Sequence, residues 1–346
     1  MMKSVNMQPV QSGTDARLPR RRALLAVAAG AILVPLAGPA IAQGYADRVI
    51  RLVSPVSPGT GVDDYVRLLA RHLSHKLGQS VVVENKPGAN MIVASEFVAK
   101  SEPDGYTIYF SGSSAMAANP YLYKRLPYDP DKDFAAVARL TALPMAVVVA
   151  AASPYKSVAD LAAAARRKPS GLNCASATSG FRVLGAAFSR AANIRNEEIP
   201  YKGMSQLVTD LVGGVIDYSV VDLTLASPLI QSGKLRAVAV LNPKRLAMLP
   251  DVPALAEAGL LDHVLVDAVS RVSWTGLFVP TGTPAPIVEK LARFSLEFVQ
   301  SPEAKAFHAT RGGLPNPGTG PELARNIRAD QQVWKQLIAA AGLQPE

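Results

Sequence analysis

Three segments of the chain combine serine, threonine and glycine in a way that suits anion binding. Each follows an apolar, strand-like run: SPVSPGTG (54–61), SGSSAMAAN (111–119) and CASATSGFR (174–182). Where a strand turns into a helix, the first N–H groups of the helix have no partner inside it, and the helix dipole favours negative charge. We therefore predict an anion site at these turns. Its candidate residues are Ser57, Pro58, Gly59, Thr60, Ser111, Ser113, Ser114, Ser176, Thr178 and Ser179.

The first of these turns does not match a nucleotide-binding loop. No lysine followed by serine or threonine closes it, as a P-loop requires. Gly59 and Gly61 supply the first two glycines of a dinucleotide fingerprint, but Asp64 occupies the place of the third. A plain alternative remains, in which the glycines only give a tight turn its backbone freedom.

The residues that usually carry out catalysis do not form a recognisable set. The serines of the three turns lack the G-x-S-x-G setting of an activated nucleophile. Asp63 and Asp64 fall in the first turn of a predicted helix, where acidic side chains stabilise the helix dipole. The pattern therefore favours binding over catalysis.

Cysteine and histidine usage argues against a metal site, a redox pair or a disulfide. Cys174 is the single cysteine and lies among small and apolar residues, which predicts a buried thiol. The histidines show no HExxH spacing, so we predict exposed histidine side chains and no metal or cofactor. The histidines are His72, His75, His263 and His308.

Strand-like and helical segments alternate along most of the chain. Runs such as VIRLVS, YTIYFS and IDYSVVD are separated by helical periodicity, and the first predicted helix carries an apolar stripe. The stripe consists of Val62, Val66, Leu69, Leu73 and Leu77. This alternation predicts an α/β fold with parallel sheets covered on both faces. The length of the chain suffices for two domains.

The N-terminus has the features of an export signal. Basic residues precede an apolar run from Ala23 to Val34, and Ala40-Ile41-Ala42 forms a cleavage site before Gln43. Arg21-Arg22 also suits twin-arginine export, and an uncleaved anchor is the alternative. Without residues 1–42 the net charge falls from +9 to +5, which is too mild to indicate nucleic-acid binding. We predict an exported protein.

Five ordered segments resemble the substrate-binding receptors of tripartite tricarboxylate transporters, often called Bug proteins. They are PGTGVDDYVRLLARHLSHKLGQSVVVENKPGAN, EPDGYTIYFS, IPYKGMSQLVTDLVGGVIDYSVVD, SGKLRAVAVLNPKRLAMLPDVPALAEAGL and WTGLFVPTGTPAPIVEKL. The resemblance implies a type II periplasmic binding-protein fold, with two lobes, each a mixed sheet flanked by helices, around a ligand cleft. It also implies a small carboxylate ligand, held by backbone amides, hydroxyls and ordered water.

The resemblance also bears on individual residues of the first turns. Of the family pattern P-G-G-x-x-D, Pro58, Gly59 and Asp63 match, while Thr60 replaces the second glycine. In the turn at 88–91, Asn90 and Met91 depart from the family's glycines. Met91 either contacts the ligand or fills the core.

In the second lobe the resemblance adds Arg182 and Asp222 to the candidate site. Arg182 stands where the family often has histidine, and either binds a carboxylate or faces solvent. Asp222 is expected to face the cleft, where it either accepts from a ligand hydroxyl or ammonium or caps the next segment. Tyr201 and Lys202 are as consistent with a structural role as with ligand contact, and Trp274 is expected near the hinge.

The resemblance implies a first lobe of residues 43–142 and 274–346 and a second lobe of residues 143–273. The predicted function is a monomeric periplasmic receptor that presents a small carboxylate to a membrane transporter or a sensor. The alternative is an exported hydrolase or isomerase that acts on small carboxylates through Asp63, Asp222 and the serine-rich loops. Turnover assays on each bound compound would separate the two.

Overall fold

The computed structural model describes residues 45–269 and 271–346, in which the chain forms two mixed β-sheets flanked by helices. The predicted signal peptide, its arginine pair and its cleavage site lie outside these residues. The α/β fold with two mixed sheets is confirmed.

The six-stranded sheet and the helices on it are called the first lobe. Its strands are β1 (Ile50–Ser54), β2 (Val81–Asn85), β3 (Thr107–Gly112), β4 (Phe134–Ala142), β10 (Trp274–Pro280) and β11 (Leu314–Thr319). Their order is β11-β4-β10-β3-β1-β2. Strand β1 is parallel to both neighbours, whereas β10 is antiparallel to β3 and β4.

The five-stranded sheet and its helices form the second lobe. Its strands are β5 (Met145–Ala150), β6 (Leu172–Ser176), β7 (Asn196–Pro200), β8 (Tyr218–Asp222) and β9 (Leu235–Leu241), in the order β7-β6-β8-β5-β9. Strand β6 is parallel to β7 and β8, but β5 is antiparallel to β8 and β9. The prediction of parallel sheets, made from the alternation of strands and helices, is therefore wrong. Strands β5 and β10 directly follow the two crossings of the chain between the lobes, and each is antiparallel to its neighbours.

The helices cover these sheets. They are α1 (Gly61–Leu77), α2 (Ile92–Ala99), α3 (Asn119–Leu122), α4 (Val158–Arg167), α5 (Ser179–Ala191), α6 (Met204–Val212), α7 (Leu223–Gln231), α8 (His263–Val269), α9 (Ala285–Gln300), α10 (Pro302–Arg311) and α11 (Gly320–Ala340). No helix in the described ranges combines the length and the apolar character that a membrane crossing requires. Helix α11 packs against both lobes, since Leu323 lies in the core of the first lobe and Trp334 in the core of the second.

Each sheet is covered by apolar side chains on both faces. In β5, Val147 and Val149 belong to one core cluster, and Ala146 and Val148 belong to the cluster on the opposite face. This alternation follows from the two-residue period of a strand. Two-sided burial leaves the ends of the strands, rather than the faces of the sheets, for a ligand.

The two described connections between the lobes lie side by side. Leu143, after β4, donates its N–H to the carbonyl of Ser273 over 3.0 Å. The hydroxyl of Ser273, before β10, donates to the carbonyl of Leu143 over 2.6 Å. The paired connections place the turns that follow β1 and β3 opposite the turns that follow β6, β7 and β8.

Candidate functional site

A cavity lies between the lobes, where the N-termini of α1, α5, α6 and α7 meet. The volume that the centre of a water molecule can reach inside this cavity is about 120 Å³. That is room for roughly ten waters, or for one small organic acid. Each helix end contributes N–H groups that have no acceptor inside the helix, so the walls of the cavity favour an anion.

Thr60 and Asp63 hold the turn at the start of α1. The Thr60 hydroxyl accepts from the N–H of Asp63 over 3.2 Å and donates to the carbonyl of Ser57 over 3.1 Å. The buried Asp63 carboxylate accepts from the Gly59 N–H at 2.9 Å, and its remaining partners are Asn85 and Arg67. Burial alone would raise the pKa of Asp63, but these hydrogen bonds outweigh it and lower that pKa. Asp63 thus fixes the shape of the turn.

Two charged residues are found among the described residues that line the cavity, Lys202 and Asp222. Lys202 is exposed at the rim and directly precedes Gly203, the N-cap residue of α6. Helix α6 begins after Gly203, which has no side chain to cap it, so its first N–H groups are available to a ligand. A cation beside uncapped N–H groups makes this the most anion-attracting corner of the cavity.

Asp222 caps the start of α7. Its Oδ1 accepts from the Leu225 N–H over 3.2 Å and from the Thr224 hydroxyl. Burial raises the pKa of Asp222, while the hydrogen bonds from Thr224 and Leu225 lower it, and the balance is a raised pKa. The sequence predicted that Asp222 faces the cleft and left open whether it binds a ligand or caps the next segment. Asp222 lines the cavity and caps α7.

Several of the predicted binding residues line the cavity, and others lie outside it. Those that line it are Ser57, Thr60, Ser111, Ser113, Ser114, Thr178 and Asp222. Those that lie outside its lining are Pro58, Gly59, Ser176, Ser179 and Arg182.

Pro58 and Gly59 form the outer side of the first turn and are exposed. Gly59 has φ = 79°, a conformation that favours glycine, and donates its N–H to Asp63. Both residues therefore shape the turn and do not face the cavity.

Arg182 and Ser176 bind glutamate side chains and do not line the cavity. Arg182 forms ion pairs with Glu198 at 2.9 Å and with Glu346, near the end of the chain, at 2.8 Å. The Ser176 hydroxyl donates to Glu198 over 2.7 Å. Glu198 lies on the neighbouring strand β7 and Glu346 is remote in sequence, so neither pairing was foreseeable from the loop itself.

Ser179 links the two lobes. Its hydroxyl donates to Oδ1 of Asn119, in the first lobe, over 2.6 Å, and both side chains are buried. The added Cβ of an alanine at Gly180 would lie 2.3 Å from Ser114 Oγ, another contact between the lobes. The described structure is therefore closed around the cavity.

The turn at 88–91 contributes a strained segment to the cavity. Ala89, Asn90 and Met91 have φ of 43°, 52° and 71°, which is uncommon for residues other than glycine. The turn is held by Asn119, which donates its Nδ2 to the carbonyl of Asn90 over 2.9 Å. Met91 is half-buried and lines the cavity.

Apolar residues of the cavity were largely missed from the sequence. Phe181 and Met204 follow the caps of α5 and α6 and line the cavity, as does Trp274. Trp274 Nε1 donates to Asp330 of α11 over 2.8 Å, which fixes the indole beside the connection between the lobes. Their positions, one to three residues after a helix cap or next to the connection, are the signal that could have identified them.

The prediction that all histidines are exposed is wrong for His308. It is 5 % exposed, because α10 packs against α1, and burial lowers its pKa to about 4. His72 is half-buried and His75 is exposed. Cys174 is buried as predicted, which raises the pKa of its thiol to about 12.

Comparison with known proteins places this architecture in a family. The family model described as the tripartite tricarboxylate transporter family receptor matches residues 65–343. The chain is 32 % identical to protein BugT of Bordetella pertussis over 311 residues, which covers 89 % of this chain and 93 % of BugT.

Two solved structures resemble the chain over their full length. A protein of R. palustris solved with adipate is 30 % identical, with a TM-score of 0.82, covering 87 % of this chain and 100 % of its own. MatC from Rhodopseudomonas palustris, with bound malate, is 28 % identical, with a TM-score of 0.78 and coverage of 85 % and 100 %. The chain belongs to the tripartite tricarboxylate transporter receptor family.

Proposed function

We propose that this chain is a periplasmic receptor that encloses a small carboxylate between its lobes. The observation that carries the proposal is the convergence of four helix N-termini and Lys202 on one cavity. The similar proteins solved with adipate and malate carry dicarboxylates, which supports the same ligand class here.

The proposed ligand contacts divide between the two lobes. One carboxylate would accept from the first N–H groups of α6 and from Lys202, because charge-assisted hydrogen bonds are the stronger ones. Hydroxyls of Ser57, Ser114 and Thr178 would complete the shell. The hydrogen bonds of Asp222 use Oδ1, so its Oδ2 is the proposed acceptor for a ligand hydroxyl or ammonium.

The proposal includes export, lobe boundaries and a partner. Residues 1–42 would be removed as a signal peptide, so sequencing of the periplasmic protein should begin at Gln43. We retain lobes of residues 43–142 with 274–346 and of residues 143–273. The receptor would act as a monomer, without a cofactor, and present its ligand to a membrane transporter or a sensor.

A thermal-shift screen against metabolic carboxylates, including adipate and malate, tests the ligand class. A ligand at one hundred times its dissociation constant adds about 2.7 kcal/mol to the free energy of unfolding. Calorimetry should then show that Lys202→Met weakens binding about fivefold, the effect of losing one exposed charge contact. Lys244→Met is the control, because Lys244 is exposed and does not line the cavity.

The possible results separate the candidate functions. Binding without product supports the receptor, and formation of a product from a bound carboxylate supports the exported hydrolase or isomerase instead. If no carboxylate raises the melting temperature, the proposed ligand class is wrong. Equal losses in the Lys202 and Lys244 variants would remove Lys202 from the site.

A further inference from the structure

A second, much smaller cavity lies behind the ligand cavity, between the first lobe and Thr224 of the second lobe. It offers about 10 Å³ to the centre of a water-sized sphere. Polar side chains contribute to its wall from α1, β4, β10, α10 and α7: Tyr65, Thr141, Thr275, His308 and Thr224. We call it the inner chamber.

The inner chamber gathers polar atoms that have no hydrogen-bond partner among the described residues. They are the hydroxyl oxygens of Tyr65, Thr141 and Thr275 and both ring nitrogens of His308. Each of these residues is at most 5 % exposed. Buried polar atoms are normally paired, because an unpaired one forfeits its hydration. These unpaired atoms belong to four separate elements that line the same small space.

The geometry of the chamber is fixed by its neighbours. Thr141 and Thr275 are cross-strand partners on β4 and β10, so their side chains lie on the same face of the sheet. The His308 ring lies 5.3 Å from the Tyr65 ring, centroid to centroid. An added Cβ at Gly313 would lie 2.7 Å from Nδ1 of His308, so the backbone there holds the imidazole in place.

We propose that the inner chamber binds one ordered water. A single water occupies about 10–15 Å³ on this measure and needs two to four polar partners, and the chamber supplies both. A neutral imidazole offers one donor and one acceptor, and each hydroxyl offers a donor and acceptor sites. His308, Tyr65, Thr141 and Thr275 therefore each offer the water a possible hydrogen bond, and two such bonds are enough to hold it.

The water also sets the direction of a hydrogen bond in the ligand cavity. Thr275 lines both spaces, and its hydroxyl has one proton to donate. When the chamber water donates to Thr275, that proton is free to point at a ligand carboxylate. Thr224 of the second lobe closes the chamber, so lobe closure and enclosure of the water occur together. This role of Thr275 rests on the proposed function, whereas the water site does not.

The sign of a stability change tests the water site without any ligand. Thr141→Val keeps the shape of the side chain and removes its hydroxyl. With a bound water the variant loses a hydrogen bond, and the melting temperature should fall by about 2 °C. In a dry chamber the variant removes an unpaired buried hydroxyl, so an unchanged or higher melting temperature would overturn the proposal.

Ser227→Ala is the control. The Ser227 hydroxyl is also buried and without a partner among the described residues, but Ser227 does not line the chamber. Its removal should not lower the melting temperature. A crystal structure of the protein gives a second readout: density for a water within hydrogen-bond distance of His308 and Thr141 is expected, and a well-ordered chamber without it refutes the site.

Ligand titration tests the link to binding. Thr275→Val should weaken binding of the carboxylate found in the screen by about 2- to 10-fold, the loss of one hydrogen bond. Unchanged affinity would refute the role of Thr275 and leave the water site standing. If no carboxylate binds, the proposed function fails, while the Thr141 variant still decides whether the chamber holds water.

Discussion

Gly61 begins helix α1 of the first lobe at a point where the backbone of the second lobe lies very close. A Cβ added to Gly61 would lie 2.4 Å from the carbonyl oxygen of Thr224 and 2.9 Å from its carbonyl carbon. The φ of Gly61 is not in the left-handed region, so alanine fits the helix itself. We predict that Gly61→Ala hinders lobe closure and leaves the fold of each lobe intact.

The size of the effect follows from the clash. Real Cβ atoms essentially never approach another heavy atom within 3.0 Å, and the opposing atoms here belong to backbone, so the lobes have to separate. Overpacking of this kind costs about 1–3 kcal/mol. Because the cost falls on the closed form, the dissociation constant of the ligand should rise about 5- to 150-fold. The melting temperature of the unliganded protein should change little, since the open form avoids the clash.

Calorimetric titration and small-angle scattering with and without the bound carboxylate measure these effects. Gly203→Ala should lose less affinity, because its Cβ would meet the flexible Ser57 hydroxyl at 3.3 Å. Gly185→Ala is the control, since its Cβ would meet Cys174 Sγ of the same lobe at 3.4 Å. Wild-type affinity in a folded Gly61→Ala variant would show that the ligand is not held in this closed arrangement.

Two further predictions concern residues outside the ligand cavity. Arg182→Ala should leave ligand affinity within about twofold of wild type and lower the melting temperature slightly. The reason is that Arg182 pairs with Glu198 and Glu346 in a partly exposed position, away from the cavity. A large loss of affinity in titration would show that Arg182 does belong to the binding site. The pKa of His308 is about 4 when folded and near 6.5 when unfolded, so the unfolded chain binds the proton more readily between these values. The free energy of unfolding should therefore be highest above pH 6.5 and fall by about 3 kcal/mol towards pH 4, and urea titrations should show a shallower fall in His308→Gln; equal slopes would contradict this.

The sequence predicted the elements better than the contacts between them. The turn after β1 was correct as a helix start, because Thr60, Asp63 and Gly59 interact within five residues of chain. The burial of Cys174 followed from its small apolar neighbours in the same way. Such features can be predicted because all the residues that produce them lie within one short segment of the chain.

Other residues depended on segments far away in the chain. The guanidinium of Arg182 is suited to binding a carboxylate ligand, but it already forms ion pairs with Glu198 and Glu346. Ser179 resembles a ligand hydroxyl, but the opposite lobe presents Asn119 to it. His308 looks like a surface residue until α10 packs against α1.

The sequence by itself determined the alternation of strands and helices, the serine- and glycine-rich turns at which helices begin and the resemblance to the receptor family, since these depend on residue types at fixed local spacing. The tertiary structure alone decided which hydroxyls face the cavity, which charges are already paired, and where His308 and Tyr65 meet Thr141 and Thr275. The physical reason is that hydrogen bonds and desolvation act between neighbours in space, and the crossing of the chain between the two sheets brings together residues that no local pattern relates.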